Sequence, residues 1–388
     1  MKRKFFSLFT VLLVGMGLVG GTEYEDTVHD IISYFDDELL GKFIEKDANF
    51  CYSPVSIYGL LYAVQKGTQG ETQNQINKVL GVQPSQYLDK RIQKTISKIP
   101  NMSNSIWYQD SLTITDEYKE FLKNIKFDEN KVDFKKPEQA KENINRYIFK
   151  KTNGLLNNSI QGELPADTKL ILLNTLYFNQ KWRFKFEEKK TYNEPFYKNA
   201  QDKKNVPMMH KQYNIMSYYE NDDVQMAELE YQNKRYSMII ILPKTIEYDL
   251  KKLTPGALID TFNYYKKDEQ VKFTLPKFEM NADYNLVPLL QSLGVKDIFD
   301  MEGSNFFKIF TSAENLYINV MNHQTYIKID EEETKAAART LEISKAASID
   351  NFLNIPKIYI FKADHPFVYV IRDNELNINL FTGCVREM

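Results

Sequence analysis

Four histidines (His29, His210, His323 and His365) and two cysteines (Cys51 and Cys384) are the residues of this 388-residue chain best suited to proton transfer, nucleophilic attack or metal binding. Their spacing argues against all three. No two histidines stand as they would on a zinc-binding helix turn. No GxSxG elbow, Walker loop or GxGxxG turn occurs. Asp364-His365 could sit beside a serine, but a triad is a matter of geometry, and a histidine satisfied by its neighbours is the plainer reading. Neither cysteine lies in a nucleophile signature, and two cysteines are no disulfide framework; free, buried thiols are the expectation. The chain therefore reads as a non-enzyme with no cofactor and no metal. One stretch, DKRIQKTISK, places Lys90, Lys94 and Lys98 on one helical face beside Arg91. Such a face could take a glycosaminoglycan; a solvated surface is the plain alternative.

The elements that must position any site are limited by composition. At 43% hydrophobic and 13% aromatic, the chain can bury a large core as one big domain or two ordinary ones. A net charge of −2 favours neither nucleic acid nor an anionic membrane. Lys2, Arg3 and Lys4 precede the apolar run FFSLFTVLLVGMGLVG, and Gly20, Gly21 and Thr22 follow. That pattern predicts a secretory signal over residues 1–21, hence a secreted, extracellular protein. The run is too short for an ordinary membrane-spanning helix. Asn101 and Asn157 each begin an Asn-x-Ser glycosylation triplet.

Residues 29–47 carry helical apolar spacing, Ser53-Pro54 marks a helix entrance, and 138–153 predicts a helix ended by Gly154. Strand-like runs crowd the later chain: KLILLNTLYF, VQMAELEY, RYSMIIILP, EQVKFTLPKF, YINVMNHQTYIKID, PKIYIF, PFVYVI and LNINLFTGCV. Helices early and strands late predict an α+β fold with large, mainly antiparallel sheets.

Several segments, in order, resemble landmarks of the serpins. NFCYSPVSI carries Asn49, Ser53, Pro54 and Ser56; NTLYFNQKW carries Asn174, Tyr177, Phe178 and Trp182. VPMM, LPKF, SLGVKDIF, FKADHPFVYVIRD and LFTGCV complete the series. The resemblance runs from about residue 28 to the C-terminus. It departs at Cys384, where a basic residue is usual, and at Tyr147-Ile148, where a tryptophan is common. It implies a serpin fold over 22–388: one domain of three β-sheets and eight or nine helices, metastable, with an exposed reactive-centre loop at about 331–356. It implies a secreted suicide inhibitor of serine proteases: the cleaved loop inserts as a new strand of the central sheet and traps the protease as an acyl-enzyme. A non-inhibitory serpin (carrier, chaperone or storage protein) is the alternative. The resemblance also places Ser53, Ser56, Asn174 and His323 in the shutter beneath the central strands. Trp182 falls at the breach, with Lys277 and Glu331 as an ion pair.

Composition alone makes EEETKAAARTLEISKAASIDNFLN a surface helix, since Glu, Lys, Ala, Arg and Leu are good helix formers. The surrounding landmarks reverse that. As a strand, Thr334, Ala336, Ala338 and Thr340 share one small, uncharged face, opposite Glu333, Lys335, Ala337 and Arg339. The implied hinge comprises Glu331, Glu332, Glu333, Thr334, Ala336, Ala337 and Ala338. Glu333 stands where glycine is usual, and Glu342 would turn a carboxylate inward. The resemblance implies a nearly fixed length from hinge to bond, and that length counted from Glu331 puts the implied reactive bond at Ala347-Ser348, suited to an elastase-like enzyme. Lys345-Ala346 would suit a trypsin-like one, and a slipped register would offer Phe352 and Leu353 to a chymotrypsin-like one. The expected partner is thus a serine protease, with the inhibitor a monomer.

Overall fold

The computed structural model describes residues 23–82, 86–157, 160–165, 167–312, 316–331 and 357–388. The expected signal over 1–21, the hinge residues after Glu331 and all candidate reactive bonds lie outside them.

The fold is α+β, with eight α-helices among the described residues. Helix α1 (Glu23–Phe43) leads into the short strand β1 (Phe50–Tyr52) and helix α2 (Pro54–Gly67). Ser53 caps α2, its hydroxyl accepting the Ser56 N–H, and Pro54 occupies the first turn, where a missing N–H costs nothing. Apart from half-buried Lys66, every residue of α2 is buried, as its apolar sequence dictates. Helices α3 (Gly70–Leu80) and α4 (Gln86–Ser97) are amphipathic and pack one face inward. On α4 that face is Leu88, Ile92 and Ile96, leaving Lys90, Lys94 and, just past the helix, Lys98 exposed. Arg91 lies over the Tyr87 ring and donates to its hydroxyl.

A five-stranded sheet holds β2 (Met102–Gln109), β3 (Phe127–Val132), β4 (Leu170–Phe178), β10 (Phe278–Asn285) and β11 (Val320–Ile329), in the order β10-β11-β4-β2-β3. Helix α5 (Asp116–Asn124) packs beside β3, and α6 (Pro137–Lys151) lies across the sheet's outer face. Beneath α6 a small second core joins Ile144 and Ile148 to Ile171 and Leu173 of β4, while Leu172 and Leu176 face the main core. This alternation is the period-two signature of a strand covered on both faces. Tyr147, at the position where the family often has tryptophan, stacks edge-on to Trp107 and donates to Asp128. Helix α6 ends as expected, with Asn153 and Gly154 in the left-handed region.

The remaining strands are β5 (Thr191–Tyr197), β6 (Lys203–Glu220), β7 (Val224–Glu230), β8 (Tyr236–Pro243), β9 (Lys267–Pro276), β12 (Ile358–Lys362), β13 (Phe367–Asp373) and β14 (Ile378–Val385). With β1 they form one continuous nine-stranded network. It is continuous because β6 is long enough to pair with β5 in its first half and β7 at its last three residues, with a bulge between Lys211 and Asn214. Strand pairing among the described residues thus gives two sheets, this network and the five-stranded one, where the resemblance implies three. At the bulge, Lys211 is buried and donates to the carbonyls of Phe184 and Lys185; burial pushes its ammonium down to about 7. Helices α7 (Pro255–Tyr265) and α8 (Leu286–Leu293) complete the fold. No helix among the described residues is long and apolar enough to cross a membrane.

Asp36 fastens α1 to this network. Its buried carboxylate accepts from Tyr52, Asn379 and Thr382 at 2.7–2.8 Å. Gly383 is needed for closeness: a Cβ there would stand 2.4 Å from the Tyr369 ring. The cysteines sit close by. Cys51 lies opposite Gly383 and Cys384 opposite Phe50, so the thiols leave the β1–β14 pair on opposite faces and remain free. Burial pushes them up to about 11 and about 12. The native protein is therefore expected to show no reaction with a chromogenic disulfide reagent at pH 8, and two thiols once unfolded in guanidinium; rapid native labelling would contradict this packing.

Candidate functional site

Strands β4 and β11 are neighbours, and they are parallel in an otherwise mostly antiparallel sheet. Their register runs from Val320 opposite Ile171 to Ile327 opposite Phe178. Parallel ladders are slanted and slightly weaker per residue than antiparallel ones. The β2–β3 pair is parallel too but lies at the sheet's edge; the β4–β11 seam is the parallel joint inside the sheet, and both clusters anticipated from the sequence lie on it.

At its middle, His323 of β11 stands directly opposite Asn174 of β4, which stands opposite Asn104 of β2. All three face the main core and are buried. The Ser53 backbone N–H, necessarily a donor, points at His323 Nε2 at 2.9 Å. A neutral ring then carries its proton on Nδ1, which donates to Asn174 Oδ1 at 2.6 Å. Asn174 Nδ2 donates in turn to Asn104 Oδ1 at 2.7 Å. Thr325, two residues along β11, donates to the Cys51 carbonyl. The α2 entrance therefore grips β11, Asn104 grips β4, and the His323–Asn174 hydrogen bond crosses the seam beneath the ladder. Ser56 Oγ and Asn104 Nδ2 are buried with no protein partner among the described residues. Such spare polar capacity is uncommon in a core.

At the head of the seam, past Phe178 and Ile329, Trp182 stacks on Tyr231 at 4.3 Å and donates from Nε1 to the Asp330 carbonyl at 2.9 Å. An open cavity of about 220 Å³ lies there, lined by Phe178, Trp182, Tyr231, Tyr326 and Asp330. Glu331, which follows β11, is 6% exposed and meets Lys277 Nζ at 2.5 Å. Burial works to raise its carboxyl, but the Lys277 ammonium outweighs this and holds it below its usual range. The pair is therefore not the wholly exposed one whose worth would be slight. Glu331 follows the head of β11, and the described chain resumes at Lys357, just before β12.

The structure thus brings Ser53, Asn174 and His323 into contact, places Ser56 beside them on α2, and gathers Trp182, Lys277 and Glu331 at one end of the same seam. Asn104 went unforeseen, because only strand register reveals that it lies opposite Asn174. His365 is no catalytic base: Asp364 and the Pro243 carbonyl occupy its two nitrogens. Asn101 and Asn157 are both exposed.

His323 gives the site a pH dependence. Burial lowers it to about 3, against about 6.5 for a solvated histidine. Between those values the unfolded chain binds the proton and the folded chain does not, so stability falls as pH drops from about 6.5 towards 3. The loss on going from pH 7 to 5, measured as urea midpoint times slope, is expected to be about 2 kcal/mol greater for the parent than for His323→Gln. Equal losses would mean that the ring is not held neutral.

Comparison with known proteins agrees with this geometry. The family model described as Serpin (serine protease inhibitor) matches residues 33–388. An uncharacterized serpin-like protein of Thermococcus kodakarensis is 32% identical over 374 residues, covering 92% of this chain and 85% of that one. Human leukocyte elastase inhibitor is 30% identical over 355 residues, covering 86% and 92%. Among solved structures, Serpin48 of the insect Tenebrio molitor matches with a TM-score of 0.80 at 25% identity, covering 96% of this chain and all of that one.

Proposed function

This chain belongs to the serpin family, and from that premise we propose that it is a secreted suicide inhibitor of serine proteases. The observation that carries the reading is the parallel β4–β11 seam, with Glu331 at its head. A strand turning back from Glu331 would run antiparallel to both neighbours. Insertion would then replace one parallel ladder by two antiparallel ones, a net gain of backbone hydrogen bonds. The 25 residues from 332 to 356 supply more chain than the eight-residue register of the seam needs.

In this reading the His323–Asn174 hydrogen bond is the shutter that must open, with Ser53 and Ser56 beneath it, and Trp182 and the Lys277–Glu331 pair form the breach where the strand first enters. Glu331, Glu332, Glu333, Thr334, Ala336, Ala337 and Ala338 act as the hinge, and the reactive bond is Ala347-Ser348, with Lys345-Ala346 as the neighbouring choice. The target is an elastase-like, trypsin-like or chymotrypsin-like serine protease. The basic start and short apolar run of residues 1–21 support secretion, and exposure of Asn101 and Asn157 supports glycosylation. The exposed Lys90, Lys94 and Lys98 offer a face for a glycosaminoglycan.

The second reading, a non-inhibitory serpin, is favoured by Glu333 and Glu342. The first gives up the φ freedom of glycine where the strand must turn, and the second would bury a carboxylate on insertion. Incubation with the three protease types separates the readings on denaturing gels. A covalent complex is expected, together with a released C-terminal peptide beginning at Ser348; cleavage without a complex and without a rise in thermal stability favours the second. Thr334→Arg is expected to convert inhibitor to substrate, because it drives a cation onto the inward face. Complex formation undiminished by that change would overturn the hinge alignment.

A further inference from the structure

Strands β6, β9 and β12 run side by side, and their register sets three side chains in one row: Ile358 opposite Gln270, and Gln270 opposite Ile215. Ile360 follows on the same face, opposite Lys272. These isoleucines are 44%, 65% and 58% exposed for Ile358, Ile360 and Ile215. They are all the exposed isoleucines among the described residues, and they stand on a single face. The same face of β6 continues through Ser217 to Tyr219, which stacks on the 57% exposed Tyr265. Isolated surface apolars are ordinary, but a gathered patch marks a surface that is covered in use.

The chain's course says what covers it. The bait segment proposed above is followed in sequence by Lys357 and Ile358. From Ser348 to Lys357 the chain can extend about 30 Å at roughly 3.3 Å per residue, less than the breadth of a protease domain. A protease holding that bond would overhang the β12 face. Strand β12 also ends its sheet, so its far edge has no neighbouring strand among the described residues.

We infer that the Ile215–Ile358–Ile360 face is an accessory docking surface for the target serine protease, engaging an apolar patch beside that enzyme's substrate cleft. This rests on the inhibitory reading for the identity of the partner, but docking is measurable without trapping. The test uses the triple variant Ile215→Thr, Ile358→Thr, Ile360→Thr, which keeps β-branched shape and strand propensity. Parent and variant are titrated against elastase-, trypsin- and chymotrypsin-like proteases whose catalytic serine is changed to alanine, and their stoichiometry of inhibition is measured with the active enzymes.

The variant is expected to weaken the encounter complex with the preferred protease about ten-fold, with an unchanged melting temperature and stoichiometry. Equal dissociation constants, or no measurable docking by the parent, overturn the inference. So does self-association of the parent that the variant abolishes, which would make a second copy the occupant. Isoleucine-dependent docking without a covalent complex would leave this surface standing and remove the trapping mechanism. A covalent complex with isoleucine-independent docking would do the reverse.

Discussion

Everything distinctive in this fold depends on one parallel contact. Strands β4 and β11 are joined by a ladder that both could exchange for antiparallel pairing to a common third strand. The seam stays closed because each side is held from below by different partners: β11 by the α2 entrance through Ser53 and Cys51, β4 by β2 through Asn104. Beneath the backbone ladder, the His323–Asn174 hydrogen bond crosses between these two holds. Hydrogen bonds in a dry interior are strong while made and costly to leave unmade. Such a link can hold one arrangement firmly and still leave a second accessible if new partners arrive. The unpartnered Ser56 hydroxyl and Asn104 amide are donors already present for that exchange.

Much of the scaffold was legible in the sequence, for a physical reason. β4, β8, β13 and β14 are covered on both faces or packed at the centre, so their runs are nearly all apolar. The Ser53-Pro54 entrance and the Gly154 stop are local chemistry and read correctly. β6 did not, because its bulge breaks the period-two pattern and buried Lys211 looks like a surface residue. β2 begins MSNS, polar letters that suggest a loop; Asn104 and Ser105 are buried nonetheless, Asn104 at Asn174 and Ser105 beneath Trp107. β3 and β5 carry exposed polar positions and gave little signal.

The site was less legible than the scaffold. Ser53, Asn174 and His323 are far apart in sequence, and nothing in their spacing announces contact. They were placed together by likeness to a family, and the structure supplies the reason: His323 and Asn174 are register partners across β11 and β4, and the Ser53 N–H at the α2 entrance reaches His323. The two cysteines show the same limit from the other side. Being neighbours across β1 and β14 did not make them a pair, since alternation turns their thiols apart.

The position of Glu331 has a further consequence. It is tied to Lys277 at the same end of the seam as the open aromatic cavity, so one end of any inserting strand is already fixed there. In the proposed inhibitory cycle the seam could therefore part from that end alone, one residue pair after another, as a zipper with its slider parked at the top. Polarity of this kind makes progress countable. An obstruction at a chosen pair would arrest the strand at a definite depth, and the set of such arrests would form a ruler along β11.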